Sequence, residues 1–135
     1  MSRQPRFDVI VVGAGMVGAA LALALGREGF KVALVDAHAP QLEWPQDGYD
    51  IRVSSITRAS QHIFESLGAW PIMQAERISP YRDMHVWDAG GEGVIHFDSA
   101  DIGEPDLGHI IESRVIVSAL RAVLAELVSV RLFCP

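Results

Sequence analysis

The sequence is almost without cysteine. Cys134 stands alone, so an internal disulfide and a cysteine-based zinc site are both excluded. The five histidines are scattered. His38, His62, His85, His96 and His109 lie far apart, and none pairs with another at a metal-ligand spacing, so no metal is expected. Runs of Lys and Arg are missing, and the formal net charge is −6, which argues against nucleic acid as a partner. Internal repeats and low-complexity stretches are absent as well. What remains is a chain of 135 residues, half of them apolar. That is the length of one ordinary domain, with enough apolar surface for a core. The composition suits a reducing cytoplasm.

One stretch imitates a membrane segment. Val9 to Gly26 carries no charge and follows Arg3 and Arg6. Its character changes midway, however, from a β-branched run to Ala and Leu, with Gly13, Gly15 and Gly18 at the change. A strand, a glycine turn and a helix account for that better. Phe7 to Val12 reads as a strand buried on both faces. Met16 to Glu28 reads as a helix, closed by Gly29. Lys31 to Val35 reads as a second strand. Together they form a βαβ unit, which implies a parallel sheet.

Further along, Ala37 to Asp50 is a polar loop with Pro40, Pro45 and Gly48. A helix is expected from about Thr57 to Leu67, with Ile56, Ala59, Ile63, Phe64 and Leu67 at helical spacing and Gly68 at its end. Trp70 to Ala75 suggests a short helical turn. Asp83–Asp88 and Val94–Asp98 suggest two strands joined by a turn at Ala89-Gly90-Gly91-Glu92. Asp98 to Asp106 is an acidic loop. Ser113 is placed to cap a helix from Arg114 to about Leu127, and Val130 to Phe133 reads as a third parallel strand. The fold class expected is α/β, a Rossmann-like domain with a βαβ unit and a small β-hairpin insertion.

The strongest motif is Gly13-Ala14-Gly15-Met16-Val17-Gly18, a G-x-G-x-x-G between strand and helix. Asp36 ends the next strand, near the expected spacing of about 20 residues. Gly13 permits the tight turn, Gly15 lets a pyrophosphate reach the backbone, and Gly18 lets the helix pack on the sheet. The helix N-terminus offers free N–H groups and a positive dipole end to phosphates. Asp36 can accept from adenosine ribose hydroxyls, and its charge disfavours the 2′-phosphate of NADP. The fingerprint leaves FAD and NAD both open, so an NAD-dependent dehydrogenase domain and a non-catalytic nucleotide-binding fragment stand beside a flavoenzyme.

Four segments together resemble the flavoprotein aromatic hydroxylases, and within them the ubiquinone-biosynthesis hydroxylases of the 2-octaprenylphenol type. They are Val9–Gly18 with Val35-Asp36, then Ile51–Ile56 with Leu67–Trp70, then Pro80–Asp88, and finally Leu107–Glu112 leading into the Arg114 helix. The resemblance implies FAD as the bound dinucleotide, NAD(P)H as electron donor, and O₂-dependent hydroxylation of an electron-rich prenylated phenol or quinol. It carries Arg52 onto a position reaching the FAD phosphate and ribityl region, and Glu112 onto a position near the ribityl chain. Arg114 is assigned to the same edge. Asp36 stands where the family commonly has Glu. The cofactor-binding set expected is therefore Gly13, Ala14, Gly15, Met16, Val17, Gly18, Asp36, Arg52 and Glu112, with catalytic residues unknown. Relatives are much longer and carry later D-G and G-D motifs; the Asp-Gly pair here, Asp47-Gly48, lies in the early loop. Residues 1–135 are thus expected to be the first part of an FAD-binding domain, incomplete at the C-terminus, with the substrate domain absent. Alone they are expected to be inactive and to self-associate. Peripheral attachment to the inner membrane, or to a biosynthetic complex, is the accompanying expectation.

Overall fold

The computed structural model describes residues 5–135. The uncharged stretch that imitates a membrane segment is divided between β1 (Val9–Val12) and α1 (Met16–Arg27), with the glycine turn between them. Among the described residues no helix is long and apolar enough to cross a membrane. β2 (Val32–Val35) follows, and β1 and β2 pair in parallel from Val9 opposite Val32 to Val12 opposite Val35. Beyond the polar loop come β3 (Val53–Thr57), α2 (Arg58–Ser66), α3 (Trp70–Ala75) and β4 (Ile78–Tyr81). The hairpin strands are β5 (Asp83–Trp87) and β6 (Val94–Asp98), followed by a 3-10 turn at Ser99–Ile102. The chain then forms β7 (Gly108–Glu112), α4 (Ser113–Leu124) and β8 (Val130–Phe133).

The parallel sheet has the order β1-β2-β8. This is the 3-2-1 arrangement of a doubly wound fold, with the third strand paired to the second. One face of it makes the core. Val11, Val32 and Leu34 lie under Ala19, Ala22 and Leu23 of α1 and Ile116, Ala119 and Leu120 of α4. Leu23, Leu34, Ile116 and Leu120 are fully buried, each worth about 1.5–3 kcal/mol. Phe64, Trp70 and Met73 join the same cluster from α2 and α3. On the opposite face, Ile10 is 67% exposed and Val12 82%.

The middle of the chain departs from the sequence reading. β3, β7 and β4 form an antiparallel sheet in the order β3-β7-β4. Ile56, counted above as a helical position, belongs to β3 and sits opposite His109 of β7. Thr57 is the N-cap of α2, and its hydroxyl accepts from the Ser60 N–H. Ser113 is not the cap of α4. Glu112 occupies that position, with its side chain engaged elsewhere, and the helix stops at Leu124. β5 and β6 pair as expected in a separate two-stranded hairpin.

Candidate functional site

The glycine turn is built around one backbone constraint and one close approach. Gly13 has φ +97°, which L side chains rarely adopt, and its N–H donates to the Val35 carbonyl at 2.7 Å. A Cβ on Gly18 would fall on the Gly13 carbonyl oxygen, so only glycine lets α1 close against the turn. Gly15 differs from both. Its backbone is extended (φ −72°, ψ −171°) and, among the described residues, nothing lies within 4 Å of where its Cβ would be. Neither conformation nor packing within the chain demands glycine there. The space beside its backbone is open.

The helix end supports that reading. Gly15 is the N-cap of α1 and supplies no side-chain acceptor, and the first turn holds no acidic residue. The first amides of α1 therefore keep their hydrogen-bonding capacity and the positive end of the helix dipole stays open. Ala14 and Met16 turn their side chains toward the core, whereas Val17 is exposed. These three residues thus offer backbone rather than side-chain chemistry.

Asp36 is bound directly to this turn. Its Oδ2 accepts from the Ala14 N–H at 2.6 Å, and its Oδ1 accepts from the His38 N–H at 2.9 Å. The Ala14 amide, then the His38 amide, hold the carboxyl below the usual carboxylate range, with help from the positive charge of Arg121. Each carboxylate oxygen retains capacity for a further donor, such as a ribose hydroxyl.

Arg52, Glu112 and Arg114 form a second group. Arg52 is exposed and, among the described residues, its guanidinium makes no hydrogen bond or ion pair. With Arg114, Ser113 and Val117 it lines a cleft of about 400 Å³, whose other wall includes Pro40 and Gln41 of the loop that begins at Asp36. Glu112 is turned inward, only 5% exposed. It accepts from the Asp50 N–H at 2.9 Å and from Arg114 Nε at 2.7 Å, and pairs with Arg77 at 3.3 Å. Burial pushes its carboxyl up, but the Asp50 amide, Arg114 and Arg77 together bring it below the ordinary range.

The same two arginines hold the loop. Both donate to the Gly48 carbonyl at 2.7 Å. Arg77 lies over the Tyr49 ring at 4.2 Å and Arg114 over the Trp44 ring at 4.9 Å. The structure therefore brings Gly13–Gly18 into contact with Asp36, and gathers Arg52, Glu112 and Arg114 at the far end of the loop. Arg77, Trp44 and Tyr49 were not legible in the sequence, because no local spacing connects them to Glu112. Arg121 was counted in no site; it is 8% exposed and adds positive potential beside Asp36.

A strand, glycine turn and helix closed by an acid just after the second strand form the arrangement of a dinucleotide-binding α/β unit. The family model for FAD dependent oxidoreductases matches residues 8–46, which span that unit and Asp36. The chain is 39% identical over 121 residues to the 3-demethoxyubiquinol 3-hydroxylase of Escherichia coli, covering 89% of this chain and 30% of that protein. It is 37% identical over 131 residues to the mitochondrial ubiquinone biosynthesis monooxygenase COQ6 of Danio rerio, covering 93% and 27%. Among solved structures it superposes on p-nitrophenol 4-monooxygenase PnpA from Pseudomonas putida with a TM-score of 0.68 and 18% identity, covering 93% of this chain and 31% of that one. Nearly the whole chain is thus similar to ubiquinone-biosynthesis hydroxylases, as the four sequence segments imply, and it spans about a third of the length of these relatives. FAD is the dinucleotide that the matching family model names.

Proposed function

We propose that the complete protein is an FAD-dependent monooxygenase of ubiquinone biosynthesis, hydroxylating the aromatic ring of a prenylated phenol or quinol with NAD(P)H and O₂. The observation that carries the cofactor reading is Gly15, whose missing side chain nothing among the described residues explains. The similarity to hydroxylases carries the substrate class. In this reading residues 1–135 are the first part of the FAD-binding domain, and the substrate domain lies outside them.

The roles in this reading join the geometry of the glycine turn to what the resemblance implies for Arg52 and Glu112. The amides opening α1 and the backbone at Gly15 receive the pyrophosphate. Asp36 accepts from the adenosine ribose while its amide bonds fix the turn. Arg52, free and exposed at the cleft, supplies a charge-assisted donor to the phosphate and ribityl region. Glu112 reaches the same edge chiefly by fixing Arg114 and the loop. When bound, the flavin supplies the oxygen chemistry, and the protein positions it and excludes water. One oxygen atom of O₂ enters the ring and the other leaves as water, with the electrons drawn from NAD(P)H. None of the 135 residues is assigned as a catalytic acid or base. A cytoplasmic location at the inner-membrane periphery suits an apolar prenylated substrate. Incubating the full-length protein with NAD(P)H, O₂ and a prenylated phenol tests the proposal. A product one oxygen atom heavier is expected; a colourless protein that retains a pyridine nucleotide and forms no such product would overturn it in favour of a dehydrogenase.

A further inference from the structure

The β5–β6 hairpin carries a group of side chains that the glycine-turn site does not use. Its register sets His85 directly opposite His96. Side chains alternate along a strand, so Asp83 and His85 share a face. Directly opposed residues project from the same face, which adds His96 to them. His96 Nε2 lies 3.1 Å from Asp83 Oδ1. The two imidazole rings are 4.0 Å apart between centroids, tilted by 36°. One ligand atom from each of the three residues lies within 4.8 Å of the others.

The surroundings leave this group available. Among the described residues no lysine or arginine pairs with Asp83, whose only ionic partner is His96. The neighbouring Asp98 is engaged with the backbone, its Oδ1 accepting from the Ala100 N–H at 2.8 Å. The side chains of His96 and Asp83 are 42% and 60% exposed, so an ion can enter without disturbing the core.

We propose that Asp83, His85 and His96 form a binding site for a divalent transition-metal ion of the zinc, nickel or copper type. Tetrahedral zinc with bonds of about 2.0–2.1 Å to nitrogen and oxygen sets its ligand atoms about 3.3 Å apart. The Asp83–His96 pair, at 3.1 Å, stands close to that separation, and the His85 ligand nitrogen lies within 4.8 Å of both. Two imidazoles and one carboxylate select such ions over magnesium and calcium, which prefer oxygen donors alone. Three protein ligands leave a further coordination position to water. The ion would tie β5 to β6 and stiffen a hairpin that otherwise stands apart from both other sheets. The hairpin places these residues together although they are remote from any sequence spacing rule for metal ligands, so the expectation of no metal does not extend to this face.

The test is calorimetric titration of the full-length, chelator-treated protein with zinc chloride, and with magnesium chloride in parallel. One zinc equivalent is expected, with no heat from magnesium. His85→Gln and His96→Gln should each weaken zinc binding by roughly tenfold or more, while His62→Gln leaves it unchanged. Far-UV circular dichroism checks each variant. As a second readout on unaltered protein, copper(II) should broaden the imidazole resonances of His85 and His96 selectively. Absence of zinc binding, binding that survives the two substitutions, or broadening elsewhere would reduce the cluster to an imidazole–carboxylate pair with a stacked ring.

Discussion

Gly15 separates the functional reading from a purely structural one at the scale of single residues. Gly13 and Gly18 are explained by the chain itself, through a positive φ and a contact with the Gly13 carbonyl. Gly15 has room for a side chain and ordinary dihedrals. Gly15→Val should therefore leave the fold nearly intact and abolish flavin binding, because its branches occupy the pyrophosphate's space. Flavin content and far-UV circular dichroism of the full-length variant check this; full flavin occupancy would count against the site. These glycines were legible in the sequence because their spacing is local and their neighbours are a plain strand and helix. Asp36 was legible for the same reason. Its bond to the Ala14 amide was not, since it depends on how the strand end meets the turn.

At the scale of elements, the polar loop between β2 and β3 is held by long-range contacts centred on Glu112. Neutralising that carboxylate leaves Arg77 and Arg114 without their shared anionic partner and gives the Asp50 amide a weaker, uncharged acceptor. Glu112→Gln should cost roughly 1–3 kcal/mol, below the figure for a fully buried pair because both arginines keep some solvent. The pH dependence has a definite sign. Glu112 and Asp36 both titrate lower in the folded chain than in the unfolded one. Their contribution is complete above the ordinary carboxylate values of about 4 and fades as pH falls through the folded-state values. Denaturant midpoints at neutral and acid pH measure this; the Gln variant should lose stability at pH 7 and show a shallower acid decline. Unchanged stability at pH 7 would refute the clamp. The parallel strands and their helices were legible because each has one apolar period. β3, β4 and β7 were not. Val53-Ser-Ser-Ile-Thr and Ile78-Ser-Pro-Tyr carry little strand signal, and what makes them strands is pairing with β7, distant in sequence. Ile56 was read into α2 because its spacing fits a helix, yet pairing with His109 claims it for β3.

At the largest scale, β1 is an edge of the parallel sheet among the described residues, and Ile10 and Val12 stand exposed on one of its faces. An unpaired strand edge beside apolar side chains recruits other chains. A protein of residues 1–135 alone should therefore self-associate on size-exclusion chromatography and bind FAD weakly, and a stable monomer holding stoichiometric FAD would contradict this. Recognition of the adenosine half of a flavin dinucleotide by the glycine turn and Asp36 is tested most simply on the bound cofactor. Heat releases the non-covalent cofactor of the purified full-length protein, and mass spectrometry identifies it. FAD is the expected species; FMN, a pyridine nucleotide or no cofactor at all would contradict recognition of the adenosine half.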